Sequence, residues 1–489
     1  MVKKFGFVIW IAIIILIVLR LPSLFESFWY GDEGIYAAVA DEISQGKLLY
    51  NQAWDHKPPL LFWMFLPAAI IGWGKGFVLL RVFNILLGVL SLIFVNQILK
   101  RKVSHIPRLI SLVFLAFLLG STILEGNILN AEVIFMAFNL GAILLFVLKK
   151  NFYLAGFLAF LSFITKVPGF VELAMVFVAF AFIYFKENGF KFIFQSVAKM
   201  AVGFLIPTIV MLLYFFSKGT IPDFIYANAT FNQIYSLHQN NYFEIFGLQL
   251  PNTYLQLFSF VSIFILGTIL YWKKKISSFA YFSLTLFVAE IFASLLSAKN
   301  YGHYFLQILP GATLLLAIVI QNFKNIFKIK NILLILMIVL FLIPSILVFK
   351  KGGKVAVHAN LVKYYQSFFE GYLLNKPSAK EKFWWGRQEE VVNISKYIDD
   401  NYGDKLAYIY TSKPWIIALT DLNLTNKYMV WFHLEYRDVH LNEDMENMKK
   451  AEIFILDTEN QLLKPVFDLI NNDFKKIDNF NNFEIYTKK

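Results

Sequence analysis

The chain contains no cysteine, which excludes disulfides and thiolate metal sites without identifying a compartment. Motifs of several soluble enzyme classes are missing as well. There is no Gly-x-x-x-x-Gly-Lys loop, no Gly-x-Gly-x-x-Gly after a strand, no His-Glu-x-x-His, and no Asp-x-Asp to hold a metal against a nucleotide diphosphate. Nucleotide substrates are therefore unsupported. Neither a repeat of about 20 to 50 residues nor a low-complexity tract is present. Charge is sparse, at 16% of the 489 residues.

What fills the chain instead is apolar. Hydrophobic residues make up 58% and aromatics 18%, and the apolar residues fall into blocks of about 15 to 25, the length that crosses a bilayer as a helix. This is the pattern of a polytopic membrane protein, mainly α. Met1-Val2-Lys3-Lys4 followed by the apolar run 5 to 24 resembles a signal peptide. No small-residue cleavage site follows, so the run reads as a retained first helix. The formal net charge of +12 sits largely in short loops between apolar runs, where lysines mark the cytoplasmic side. Its partner is the membrane, and no nucleic-acid partner is expected.

Orientation follows from the lysine-rich loops. Lys100-Arg101-Lys102, Lys149-Lys150, Lys186 to Lys191, Lys273-Lys274-Lys275 and Lys324 to Lys330 should all be cytoplasmic. With Met1 inside, the loop from Phe25 to Lys57 is outside. Residues 58 to 72 open with Pro58-Pro59 and are short for a span, so they are placed as an interfacial helix with Trp63 and Trp73 as its aromatics. The remaining spans are expected at about 77 to 99, 107 to 124, 131 to 148, 152 to 165, 168 to 186, 197 to 217, 250 to 272, 278 to 297, 304 to 321 and 331 to 349. That makes about eleven crossings and brings scattered charged residues to one outer face. Pro168 is the one position where two of these spans could instead form a single broken helix.

Two domains are expected: a transmembrane domain over residues 1–349 and a small extracytoplasmic α/β domain over 350–489. The second shows a helical pattern at 388 to 400 and at 440 to 450, with strand-like runs at Leu406 to Tyr410, Glu452 to Leu456 and Phe483 to Tyr486.

Chemistry concentrates in the first outer loop. Trp29-Tyr30-Gly31-Asp32-Glu33-Gly34-Ile35-Tyr36 and Trp54-Asp55-His56-Lys57-Pro58-Pro59-Leu60 place acids, a histidine and a lysine at a membrane surface, where ionisable side chains are expensive to keep. Farther on stand Asn130-Ala131-Glu132, Thr165-Lys166-x-Pro168 and His303-Tyr304-Phe305-x-Gln307-x-x-Pro310. This arrangement resembles the bacterial protein O-mannosyltransferase and aminoarabinose-transferase group, within the C-type superfamily of integral-membrane glycosyltransferases that use polyprenyl-phosphate sugars. The resemblance covers roughly the first 350 residues; residues 350–489 carry no assignable motif.

The resemblance implies transfer of a sugar from a lipid-linked donor to a hydroxyl on a protein, lipid or glycan acceptor at the outer face. A polyprenyl phosphate is already a good leaving group, so the reaction needs a base for the acceptor and positive charge for the departing phosphate. Asp32 suits the base, the role the first acid of the pair has in the resembling enzymes, with Glu33 beside it; attack by the deprotonated acceptor inverts the anomeric carbon. Lys57 suits the phosphate, because Pro58 and Pro59 stiffen the chain beside it. Lys166 and His303 are further phosphate donors, and Tyr36, Asp55, His56, Glu132 and Tyr304 are expected to contact substrate. His56 stands where the aminoarabinose enzymes tend to carry glutamate and resembles the mannosyltransferase-like branch. No metal and no cofactor are expected.

Plainer readings compete with these. Asp32 and Glu33 suit the first turn of a helix beginning near Gly34, as Glu132 suits the start of another. Lys57 suits a snorkelling lysine, Arg81 an interfacial anchor, and Trp384-Trp385 a pair of docking aromatics. A transporter or flippase of lipid-linked sugars is the rival class; it should show inverted repeats and ionisable groups near mid-bilayer.

Overall fold

The computed structural model describes residues 2–26, 28–237, 242–245, 248–296, 301–322, 361–383, 388–436 and 438–489. The expected span 331–349, the lysine loop 324–330, the boundary near residue 350 and Trp384-Trp385 lie outside the described residues. The chain forms two compact units. The first comprises Met1–Ser23, Arg81–Met211 and Ser236–Leu361; the second comprises Leu24–Leu80, Leu212–Tyr235 and Val362–Lys489.

In chain order the helices of the first two thirds are α1 (Val2–Arg20), α2 (Gly31–Ser44), α3 (Pro59–Ile70), α4 (Trp73–Leu99), α5 (His105–Gly120), α6 (Ala131–Val147), α7 (Phe152–Phe163), α8 (Val167–Ser217), α9 (Ile221–Ile225), α10 (Phe231–Leu237), α11 (Asn252–Trp272), α12 (Ser278–Leu295) and α13 (Leu309–Gln321). Among the described residues, Gly6–Phe25, Trp73–Leu99, Val167–Ser217, Ser278–Leu295 and Gly302–Gln321 are long and apolar enough to cross a membrane. The chain is thus mainly helical, with several such segments. Helix α8 covers the expected spans 168–186 and 197–217 and the residues between them, interrupted by the non-helical Gly189 at φ 77° and ψ 177°. That backbone geometry suits glycine alone. Pro168 opens this helix instead of kinking it, because α7 already ends at Phe163 and a proline's missing N–H costs nothing in a first turn.

In the first unit α1 packs on α5, α6 on α7, α5 on α13, and α12 on both α11 and α13. Arg20 is fully buried at the end of α1. It donates from Nε and Nη2 to the Leu119 carbonyl at 3.0 and 2.7 Å and from Nη1 to the Asn84 carbonyl at 2.6 Å. The guanidinium fork thereby occupies carbonyls that the apolar surroundings leave without water. Tyr242–Ile245 (β1) and Leu248–Pro251 (β2) pair antiparallel in the same unit.

The second unit contains a five-stranded sheet ordered β4-β3-β5-β7-β6, with β3 Leu406–Tyr410, β4 Asn423–Leu424, β5 Ile453–Asp457, β6 Phe474–Phe480 and β7 Phe483–Lys488. Strand β3 runs parallel to β4 and β5, while β7 is antiparallel to β5 and β6. Every residue of β5 is buried, as a central strand covered on both faces requires. Helices Gln388–Tyr402, Asp438–Lys450 and Lys464–Asp473 accompany the sheet, and Ile394, Ile398, Tyr408, Phe454, Ile470 and Ile485 fill its core. The three strands and two helices expected here are present. Strands β4 and β6 and the helix Trp415–Leu419 were not anticipated: β4 is two residues long, and β6 (Phe-Lys-Lys-Ile-Asp-Asn-Phe) is mostly polar, a composition suited to an edge strand.

The same unit ties this sheet to the segments flanking α2. Trp54 bridges to Tyr428, its N–H donating to the Lys427 carbonyl at 2.9 Å, and Lys47 Nζ donates to the Leu424 carbonyl at 2.7 Å. Trp415 Nε1 donates to the Tyr30 carbonyl at 3.0 Å, and its ring lies against Phe28, Trp73 and Phe77.

Candidate functional site

The first cluster is built on the start of α2. Tyr30 is the N-cap in extended conformation, and Asp32 and Glu33 lie in the first turn, where the helix dipole favours a carboxylate. Their surroundings differ: Glu33 is 1% exposed, whereas Asp32 is half-buried. Asp32 is therefore the acid of the pair that solvent or a substrate can reach. One turn on, Tyr36 is buried, and Lys57 Nζ lies 5.3 Å from the centroid of its ring. A β-carbon at Gly34 would stand 2.8 Å from Trp415 Cδ1 and 2.9 Å from Pro414 Cγ. Only glycine lets the helix Trp415–Leu419 come this close.

The loop that returns to α3 is held in several places. Tyr50 sits in the left-handed region at φ 69°, and its hydroxyl donates to the Lys57 carbonyl at 2.8 Å. Pro58 caps α3 and Pro59 opens it, fixing the chain beside Lys57. The Lys57 N–H donates to Asp55 Oδ1 at 3.0 Å, and Lys57 Nζ lies 3.4 Å from the same oxygen. Asp55 is fully buried. Burial pushes its carboxyl above the usual range, an effect opposed by Lys57 and reinforced by the charge of Asp32.

His56 packs on Tyr235 and Phe231 at ring separations of 4.7 and 5.5 Å, and its carbonyl accepts from Asn232 Nδ2 at 2.9 Å. His433, from the C-terminal part of the same unit, stands edge-on to Trp54 at 5.3 Å. Its Nε2 is 3.8 Å from Asp55 Oδ2, and His56 Nδ1 is 3.8 Å from Asp55 Oδ1.

A second cluster belongs to the helical unit. Glu132 lies in the first turn of α6 after the extended Asn130 and pairs with Lys166 Nζ at 2.5 Å. Lys166 Nζ stands 4.0 Å from the centroid of the Tyr304 ring. His303 Nδ1 pairs with Glu125 Oε2 at 2.6 Å, and its ring is edge-on to Tyr304 at 4.7 Å and stacked on Tyr301 at 5.6 Å. Glu125, Glu132 and His303 are all buried, so these acids and bases satisfy one another in a dry setting.

The expected site residues thus gather into two groups. Asp32, Glu33, Tyr36, Asp55, His56 and Lys57 belong to the second unit, and Glu132, Lys166, His303 and Tyr304 to the first. Glu125, Asn232 and His433 join them without having been anticipated. Glu125 and Asn232 carry no motif, and nothing in residues 350–489 marks His433. The sequence assigns no metal to this loop, yet Asp55, His56 and His433 each present a ligand atom within 4.8 Å of the others. No protein-family model matches the chain, and no curated protein matches it.

Proposed function

We propose that this chain is an integral-membrane glycosyltransferase that moves a sugar from a polyprenyl-phosphate donor to a hydroxyl acceptor on the outer face of the membrane, with inversion. The observation that carries this reading is the pairing on one scaffold of the half-buried Asp32, at the N-terminus of α2, with Lys57, held over Tyr36 of the same helix. In the reaction the acceptor oxygen bonds to the anomeric carbon as the bond to the phosphate oxygen breaks. The acceptor proton passes to Asp32, and the polyprenyl phosphate leaves with the electron pair beside the Lys57 ammonium. The acceptor is a protein, lipid or glycan, and neither a cofactor nor a nucleotide enters this scheme.

This reading carries the topology of about eleven crossings with Met1 inside, which puts α2, the loop to Lys57 and the C-terminal α/β domain outside. It also carries membership of the C-type superfamily, in the mannosyltransferase-like and aminoarabinose-transferase-like group.

Transport of lipid-linked sugars is the second reading, and it draws on Glu172 and Glu290, buried in the apolar helices α8 and α12, because intramembrane acids commonly serve proton or substrate pathways. A panel of radiolabelled polyprenyl-phosphate monosaccharides offered to the detergent-purified protein, with membrane extract as acceptor source, separates the two. Transfer predicts loss of one lipid donor; movement of donor across sealed vesicles without turnover supports transport.

A further inference from the structure

We propose that Asn139, Ser162 and Glu172 form a binding site for one monovalent alkali cation of the sodium class inside the helical unit, with Glu290 beside it. Four helices meet there. Asn139 lies on α6, Ser162 in the last turn of α7, Glu172 in the second turn of α8 and Glu290 on α12, and all four are buried. Asn139 Nδ2 donates to the Gly169 carbonyl and to Glu172 Oε1, each at 2.9 Å. A β-carbon on Gly169 would stand 2.7 Å from Ser162 Oγ. The amide, the hydroxyl and the carboxylate are thus gathered around Gly169.

Helix register brings Glu290 level with Glu172. Phe180 of α8 meets Phe282 of α12 at 4.9 Å between ring centroids. Farther along α8, Lys186 Nζ lies 3.5 and 3.4 Å from the Tyr271 and Trp272 carbonyls, at the end of α11 and ahead of the start of α12, so α8 and α12 run antiparallel. Glu172 comes eight residues before Phe180 and Glu290 eight residues after Phe282, about 12 Å along each helix. The charge of Glu172 is accordingly felt at Glu290. Both Glu290 oxygens accept from the Gly311 N–H, at 3.0 and 2.8 Å. Among the described residues no basic side chain acts on either acid.

A separate observation points to a ligand. Glu172 Oε2, Asn139 Oδ1 and Ser162 Oγ are buried and make no hydrogen bond. The double donation from Asn139 Nδ2 fixes which end of its amide is the oxygen. Ser162 also differs from Ser91, Ser196 and Ser283, buried helical serines whose hydroxyls each bond the carbonyl four residues back. Three dry oxygens around an acid without a base are costly. A buried water would meet the hydrogen bonds and leave the charge; a cation meets both.

The donor set names the class of ion. Oxygen ligands alone select a hard cation. One free carboxylate oxygen with two neutral oxygens balances a single positive charge, whereas calcium takes about 6–8 oxygens and magnesium keeps several of its waters. The C-terminal end of α7, the negative end of its dipole, favours the same sign, as helix ends do at coupling-ion sites within membranes. The site rests on neither sugar transfer nor sugar transport, since no lipid-linked sugar takes part in it.

The test uses the full chain in non-ionic detergent, dialysed into choline chloride and titrated with sodium chloride at constant ionic strength, with thermal unfolding as the readout. An ion that binds only the folded chain raises its melting midpoint, so a saturable rise with sodium and none with choline is expected. Glu172→Gln should abolish the response to sodium, and Ser162→Ala should raise the half-saturating sodium concentration by about 10-fold. Ser91→Ala, which removes a hydroxyl bonded within its own helix, should leave it unchanged. Equal midpoints in the two salts overturn the site. So does a midpoint that follows pH and ignores sodium, the behaviour of a carboxyl holding a proton, and so does a folded Glu172→Gln variant with the wild-type response. Should that variant not fold, wild-type half-saturation in Ser162→Ala decides against the site.

Discussion

The two polar clusters use the same residue types and compensate their charges differently. In the cluster of the helical unit each acid meets its own basic side chain at short range, Glu132 with Lys166 at 2.5 Å and Glu125 with His303 at 2.6 Å. In the unit that holds the loop before α3, Asp55 has Lys57 at 3.4 Å, two histidines at 3.8 Å and one oxygen without a hydrogen bond, and Asp32 is half-buried. Closed pairs hold a structure together, because breaking one strands a buried charge. The cluster with unmet valence and an accessible acid is the one able to take a ligand.

Asp32→Asn breaks the comparison most severely. It should lower transfer by at least about 100-fold, the usual contribution of a general base, with thermal stability reduced by no more than about 1 kcal/mol, the helix-dipole contribution, as a donor-turnover assay beside a melting curve reports. Lys57→Met should lower turnover by about 100-fold, the effect of deleting one preorganised donor to a developing anion, and shift the melting curve less than the next variant does. Lys166→Met should act in the opposite sense. It leaves Glu132 buried and unpaired, costing about 3–5 kcal/mol in thermal or denaturant unfolding, and Lys166→Met with Glu132→Gln should recover much of that loss.

The C-terminal sheet and its helices supply a pH test. Asp444 is buried and accepts from Tyr408 and Asn447, and burial pushes its carboxyl up to about 6 from 3.8. The folded form then holds a proton that the unfolded chain releases, so this group's stabilisation is full below about pH 3.8, declines as pH rises and is lost above about pH 6. The span corresponds to about 3 kcal/mol, and Asp444→Asn should flatten the stability profile between about pH 4 and 6. The smallest effect belongs to Gly34→Ala. Its methyl would press on Trp415 and Pro414 and lower stability by about 1–3 kcal/mol, without the complete loss of turnover expected for Asp32→Asn.

Much of this was legible in the sequence. The length of the apolar runs predicts most of the long helices, and short apolar runs between helical segments predict strands β3, β5 and β7, while α9 and α10 fall in a stretch expected as a loop. The acids of α2 and the Lys57-Pro58-Pro59 turn stood out as polar residues in an apolar chain. What was hidden depends on distant partners. His433 reaches Asp55 only because Trp54 pairs with Tyr428 and Trp415 docks on the start of α2, and neither contact leaves a local pattern. The Glu125–His303 pair likewise joins a left-handed turn residue at φ 58° to a distant 3-10 helix, so neither half announces the other. The break in α8 at Gly189 falls between the two expected spans; the residues on either side of it stay helical, because charge alone does not distinguish a helical turn from a loop.

The central claim is that Asp32 acts as the base for transfer of a lipid-linked sugar, and the most direct measurement is turnover of polyprenyl-phosphate sugar by purified wild-type and Asp32→Asn protein, with folding of both checked by thermal unfolding. The account predicts loss of donor and appearance of glycosylated acceptor with the wild type, and a fall of at least about 100-fold in the variant. Equal turnover by the two folded proteins, or no turnover of any donor in the presence of membrane extract, would contradict it.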